Sequence, residues 1–122
     1  MRINHLVTVF DAADLGPESA FWAGVLGGEV DAEDDWHMVR VDGKSRIGVQ
    51  LAPDHVPPDW PDGAPPQQIH LDLWVEDIAD ARATVSALGA RLLKAEVDEG
   101  SAAFEVYADP AGHPFCLCWV KP

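Results

Sequence analysis

Four side chains able to bond or coordinate a ligand share one placement in this sequence. His5, Gln50, His70 and Cys116 each stand in a strand-like run with apolar neighbours on both sides. Strand alternation then turns each of them to the face that does not pack on helices. Brought together, they would converge in a cup. The plainer reading has the histidines hydrogen-bonded along its wall and Cys116 as a small buried apolar residue. Asp72 and Glu105 are expected on the same side. A carboxylate in a half-dry cavity is a candidate general base, or it pairs with a His or Arg. Arg40 is the one basic residue expected on that face of its strand. It would bind a ligand carboxylate or phosphate, or neutralise Glu105 or Asp72. Trp36, Met38, Trp74 and Tyr107 follow the same alternation. They suit a planar or apolar small ligand, or they fill the cup or a dimer contact. Trp60 sits among prolines, where an exposed indole is costly, so it must dock as a lid or against a second subunit. His37 and His55 join no constellation, and His113, after Gly112 in a turn, is expected at the surface or rim. There is no Gly-rich phosphate loop, Ser nucleophile motif or CxxC.

The elements that position these residues come in two similar halves. A strand over 4–10 leads through a turn to a helix that begins near Pro17 and stops at Gly27-Gly28. A strand over 68–75 leads to a helix over 78–88 that stops at Gly89. Gln50 and Cys116 stand at almost the same interval as His5 and His70. Each half continues with three strand-like runs, over 29–33, 36–41 and 46–51, and over 91–97, 102–107 and 114–120. Each half therefore reads βαβββ. The expected domain is a single unit over 1–122, with module 1 at 1–52, a linker at 53–67 and module 2 at 68–122. Six prolines make the linker semi-rigid. The expected fold is α+β: two βαβββ modules forming an eight-stranded open barrel-like cup, with helices on the outer face.

Composition narrows the partners. The 122 residues carry 21 Asp and Glu against 8 Lys and Arg, a formal charge of -13. That disfavours nucleic acid and anionic membranes, which need a basic footprint. It accords with cationic ligands or with simple solubility. No run approaches the ~20 apolar residues of a membrane span, and the first residues do not resemble a signal peptide. Cys116 and Cys118, two apart on one strand, are badly placed for a disulfide. Reduced thiols and a cytoplasmic location are expected.

These segments resemble the vicinal oxygen chelate superfamily of glyoxalase I, extradiol dioxygenases and fosfomycin and bleomycin resistance proteins. The resemblance is carried by Asn4-His5-Leu6-Val7, by Phe21-Trp22-Ala23-Gly24-Val25-Leu26-Gly27, and by Ile69-His70-Leu71-Asp72-Leu73-Trp74-Val75-Glu76-Asp77. It ends on Asp109-Pro110-Ala111-Gly112-His113-Pro114-Phe115-Cys116-Leu117. It implies metal ligands on the first and last strands of each module, here His5, Gln50, His70 and Cys116. Cys116 replaces the expected Glu, and Gln50 replaces an acid, so the set suits Zn better than Fe(II). Two functions stay open. One is a metal-free protein that binds a small aromatic or cationic compound in an aromatic-lined cup. The other is a lyase, isomerase or dioxygenase using Zn, Fe, Ni or Mn on a small oxygenated substrate. The resemblance also implies a homodimer.

Overall fold

A computed structural model describes residues 1–122. The chain divides into two units, Met1–Val56 and Pro57–Pro122. The first holds β1 (Thr8–Ala12), α1 (Leu15–Leu26), β2 (Glu29–Ala32), β3 (Trp36–Val41) and β4 (Lys44–Leu51). The second holds β5 (Leu71–Trp74), α2 (Ile78–Ala87), β6 (Arg91–Asp98), β7 (Ala102–Ala108) and β8 (Pro114–Val120). Each is βαβββ, as the repeat predicts, and each forms one four-stranded sheet. The strand orders are β1-β4-β3-β2 and β5-β8-β7-β6. Only β1–β4 and β5–β8 are parallel. A helix follows the first strand, which supplies the long crossover that a parallel pair needs. The last three strands are joined by short connections and so run antiparallel. The expected linker is shared out: residues 53–56 go with the first unit and Pro57 onward with the second.

In the first unit, α1 tolerates Pro17 because its missing N–H lies in the first turn. It ends at Gly27, whose φ of 67° suits the left-handed stop. Phe21 and Trp22 are each 1% exposed, and Trp22 stacks on Phe10 at 5.5 Å. Burying each ring is worth roughly 2–3 kcal/mol. Helix α1 packs on β3 and β4, whose buried apolar side chains are Val39, Ile47 and Val49.

In the second unit, the Asp77 side chain accepts from the Asp80 backbone N–H at 3.0 Å and caps α2. The sheet face on the helix side carries Phe115, Leu117 and Trp119, all buried. The 109–112 segment is a turn between β7 and β8. The Gly112 N–H bonds the Asp109 carbonyl at 2.9 Å, and the His113 N–H bonds Asp109 Oδ1 at 2.8 Å. The motif that carries the family resemblance is here a turn that sets the start of β8.

Two strand starts differ from expectation. β1 begins at Thr8 rather than residue 4, and β5 at Leu71 rather than 68. Apolar alternation continues N-terminal to each ladder, so it does not mark where pairing begins. The β1 ladder starts at Thr8 opposite Ile47, and the β5 ladder at Leu71 opposite Phe115.

Candidate functional site

The second sheet presents a compact group of functional side chains on the face away from α2. Register explains the grouping. Asp72 lies opposite Cys116 and Trp74 opposite Cys118 in the β5–β8 pair. Val106 lies opposite Cys116 and Phe104 opposite Cys118 in β7–β8. Facing pairs in neighbouring strands share a face, so all six converge. Val106, Cys116 and Cys118 form a buried floor, with Trp60, Leu93 and Phe104 packed against it. A cavity of about 280 Å³ opens above, walled by Trp60, Trp74 and Phe104 and edged by His70, Asp72 and Glu99.

Three polar groups meet at the cavity edge. His70 Nε2 lies 3.2 Å from Asp72 Oδ1, with side chains 32% and 49% exposed. The donor atoms of His70, Asp72 and Cys116 all lie within 4.8 Å of one another. Burial, and then the charge of Asp72, push the Cys116 thiol up to about 12. Burial and the charges of Asp72 and Glu99 push Cys118 up to about 11. Both sulfurs are therefore neutral thiols at physiological pH, poor nucleophiles and apolar in effect. Trp60 stacks on His70 with centroids 5.2 Å apart and planes at 22°. The expected docking of Trp60 is thus onto the sheet of its own unit. Its loop is closed by the Asp59 N–H bonding the Pro65 carbonyl at 2.8 Å.

The donor set can be tested against a metal. In a tetrahedral zinc site with bonds of about 2.0–2.3 Å, ligand atoms lie roughly 3.5 Å apart. The donor atoms of His70, Asp72 and Cys116, within 4.8 Å of one another, are of that order of spacing. Cys116 would have to lose its proton on binding. One nitrogen, one carboxylate and one sulfur suit zinc, and they lack the second imidazole of a two-His iron site. Of the expected ligands, His70 and Cys116 therefore come together, and the third donor beside them is Asp72, expected as a base.

Glu105 and Tyr107 are corrections. Both were expected to line the cup, yet Glu105 lies opposite Leu117 and Tyr107 opposite Phe115, on the helix side. Glu105 is 5% exposed. Its Oε1 accepts from Arg82 Nε at 2.8 Å and Nη2 at 2.6 Å, and its Oε2 accepts from the Tyr107 hydroxyl at 2.8 Å. Burial and the Glu105 bond push Tyr107 up to about 12. The bond to Glu105 raises Arg82, against the opposing effect of burial. Ala103, Glu105 and Tyr107 alternate as plausibly as Ala102, Phe104 and Val106, so the local pattern does not select the face of β7.

In the first unit, Asp11 pairs with Gln50 as Asp72 pairs with Cys116. Matched this way, His70 corresponds to Val9, and the expected equivalence of His5 and His70 fails. His5 precedes β1 and is exposed, in a surface recess edged by Arg40, Lys44 and Arg46. Trp36, Met38 and Gln50 do share a face, with Trp36 opposite Gln50 and Met38 opposite Gly48. The Trp36 indole lies directly over Gly48, where any Cβ would collide with it. Arg40 donates to Ser45 Oγ at 2.8 Å and pairs with Asp31 at 3.4 Å. Both partners lie in its own unit. His37, expected to join no constellation, bonds the buried Ser19 hydroxyl at 2.8 Å. Glu99, Phe104 and Cys118 were not singled out as site residues. Phe104 and Cys118 were recoverable from alternation, whereas Glu99 lies in a turn that carries no such signal.

A family model described as a glyoxalase-like domain matches residues 7–118. Solved structures share the fold at low identity. A fosfomycin resistance protein, FosX, from Listeria monocytogenes is 15% identical with a TM-score of 0.72, covering 99% of this chain and 96% of that one. A glyoxalase/bleomycin resistance protein/dioxygenase family enzyme from Burkholderia phytofirmans PsJN is 18% identical with a TM-score of 0.69, covering 94% and 97%. A glyoxalase family protein from Enterococcus faecalis is 20% identical with a TM-score of 0.67, covering 96% of each. At such identities the likeness is one of fold. A search of curated proteins returns no matching sequence.

Proposed function

The chain belongs to the glyoxalase-like domain family of the vicinal oxygen chelate superfamily, and from that premise we propose that its second module binds a small molecule in the aromatic cavity above Cys116 and Cys118. The observation that carries this reading is the convergence of Trp60, Trp74 and Phe104 with His70 and Asp72 around one cavity. Apolar walls with a few directed polar groups are the usual make-up of a small-ligand site. His70 and Asp72 would orient the ligand, and the thiols would provide an apolar floor. The test is a screen of small compounds by tryptophan fluorescence. Ligands should quench the wild type and lose that effect in a Trp60→Phe/Trp74→Phe double variant. Quenching that survives both substitutions would place the ligand elsewhere and refute the reading.

A second reading is favoured by the His70, Asp72 and Cys116 cluster. It is a divalent metal, zinc before iron, nickel or manganese, in a lyase, isomerase or dioxygenase acting on a small oxygenated substrate. A metal there would supply Lewis acidity toward substrate oxygens. The chain's own contribution would be to hold His70 by the stacked Trp60 and to keep water out with the aromatic walls. The proposed state is a homodimer in the cytoplasm, in keeping with two buried free cysteines. No helix is long and apolar enough to cross a membrane. Sedimentation would test the dimer.

A further inference from the structure

We propose that the ligand of the second module is an organic cation, a protonated amine or quaternary ammonium on a small carbon skeleton, held against Trp74 and Phe104 between Asp72 and Glu99. The proposal rests on the small-molecule reading above and names the ligand class. Its first ground is the wall chemistry. Trp74 is 63% exposed and has no aromatic partner. An indole left in water is a large unused apolar surface whose π cloud attracts cations. Trp60 and Phe104 add further aromatic surface around the same cavity.

The second ground is charge. No Lys or Arg lines the cavity, while Asp72 and Glu99 both do. Glu99 has no ion-pair or side-chain hydrogen-bond partner. The nearby cations are engaged elsewhere: Lys121 Nζ holds Asp98 at 2.6 Å, and Arg82 holds Glu105 on the opposite face. An anionic ligand would meet two carboxylates and no fixed counter-charge. Acidic residues alone would not make a site, but here they edge a cavity with aromatic walls and an apolar floor. That combination stabilises a cation twice, by carboxylate charge and by ring quadrupole. The chain's net charge of -13 adds long-range attraction of the same sign. The third ground is size. About 280 Å³ is at the small end for ligand cavities. It suits a compact headgroup rather than an extended cofactor.

The test uses the full chain labelled with nitrogen-15 and follows the Trp60 and Trp74 indole N–H signals, assigned with Trp60→Phe and Trp74→Phe variants. Three probes are titrated: choline, its uncharged isostere 3,3-dimethylbutan-1-ol, and benzoate. Choline should shift both signals with an affinity about tenfold above that of the isostere. Asp72→Asn and Glu99→Gln should each weaken choline about three- to tenfold and leave the isostere unchanged. Both variants are surface-edge changes that preserve shape, and an unaltered Trp22 signal reports that the fold is intact. Equal affinity for the isostere, or tighter binding of benzoate, would overturn the cation class while leaving the cavity as a binding site. No shift with any probe would also overturn the cation class. In that case a panel of uncharged aromatics on the same sample decides the small-molecule reading separately, which fails if none of them moves Trp60 or Trp74.

Discussion

Replacing Arg82 by alanine tests whether Glu105 is structural rather than catalytic. Glu105 is 5% exposed and its carboxylate takes two bonds from Arg82 and one from Tyr107. Removing one partner of a fully buried pair costs about 3–5 kcal/mol. The Arg82 side chain is 40% exposed, so water can replace part of what is lost, and the expected cost falls to about 2 kcal/mol. Losing the guanidinium from above Trp119, 5.3 Å from the ring centroid, is a smaller part of that, about 0.5 kcal/mol. For a chain of 122 residues with an unfolding entropy of about 2.1 cal/mol/K per residue, 2 kcal/mol lowers Tm by about 8 °C. The assay is thermal and urea unfolding of wild type, Arg82→Ala, Glu105→Gln and the double variant. Glu105→Gln alone should cost about 1 kcal/mol, because an amide still bonds Tyr107. The double variant should be more stable than Arg82→Ala, because no unpaired charge remains buried. An Arg82→Ala cost below about 0.5 kcal/mol, or strictly additive losses in the double variant, would refute the reasoning.

Three further outcomes follow from the same geometry. Cys116 and Cys118, held near 12 and 11 by burial, should resist iodoacetamide in the native protein at pH 8 and react at once in denaturant. Their folded values lie above the free-thiol value of 9.0. Stability from the neutral thiols is therefore fully present below pH 9 and lost as pH rises from about 9 toward 12. Native alkylation at the denatured rate at pH 8 would contradict this. If the metal reading holds, elemental analysis should find near one zinc per chain that disappears in Asp72→Ala and Cys116→Ala but persists in His5→Ala. Loss with His5→Ala and retention with Asp72→Ala would restore the ligand set implied by family resemblance. Gly48→Ala would drive a methyl into the Trp36 indole. It should cost about 1–3 kcal/mol and change near-ultraviolet dichroism, and an unperturbed Trp36 would disprove the close approach.

Much of the second module was legible from residue types alone. His70, Asp72 and Trp74 alternate against Leu71 and Leu73, and Cys116 and Cys118 against Phe115, Leu117 and Trp119. Both sets fall on the faces that alternation assigns them. β7 was not legible, because Glu105 and Tyr107 are polar enough to suggest the open face. A salt bridge from α2 makes their burial tolerable, and that partner lies 23 positions away. His5 misled for another reason. Its local pattern matched His70, but the two halves are offset where the first strand begins, and only pairing with the last strand sets that offset.

The sequence by itself determined the duplicated βαβββ order, the helix stops at Gly27 and Gly89, the absence of a basic footprint and the family. These depend on local periodicity, on glycine at turns and on composition, all of which act over a few residues or are simple counts. Tertiary structure decided the strand order, the side of the sheet taken by Glu105 and Tyr107, and the docking of Trp60 on His70. It also decided that Asp72 stands beside His70 and Cys116. Each of these is a pairing between residues distant in the chain, chosen by register and by which buried charge finds its partner. Local sequence preference carries no information about either.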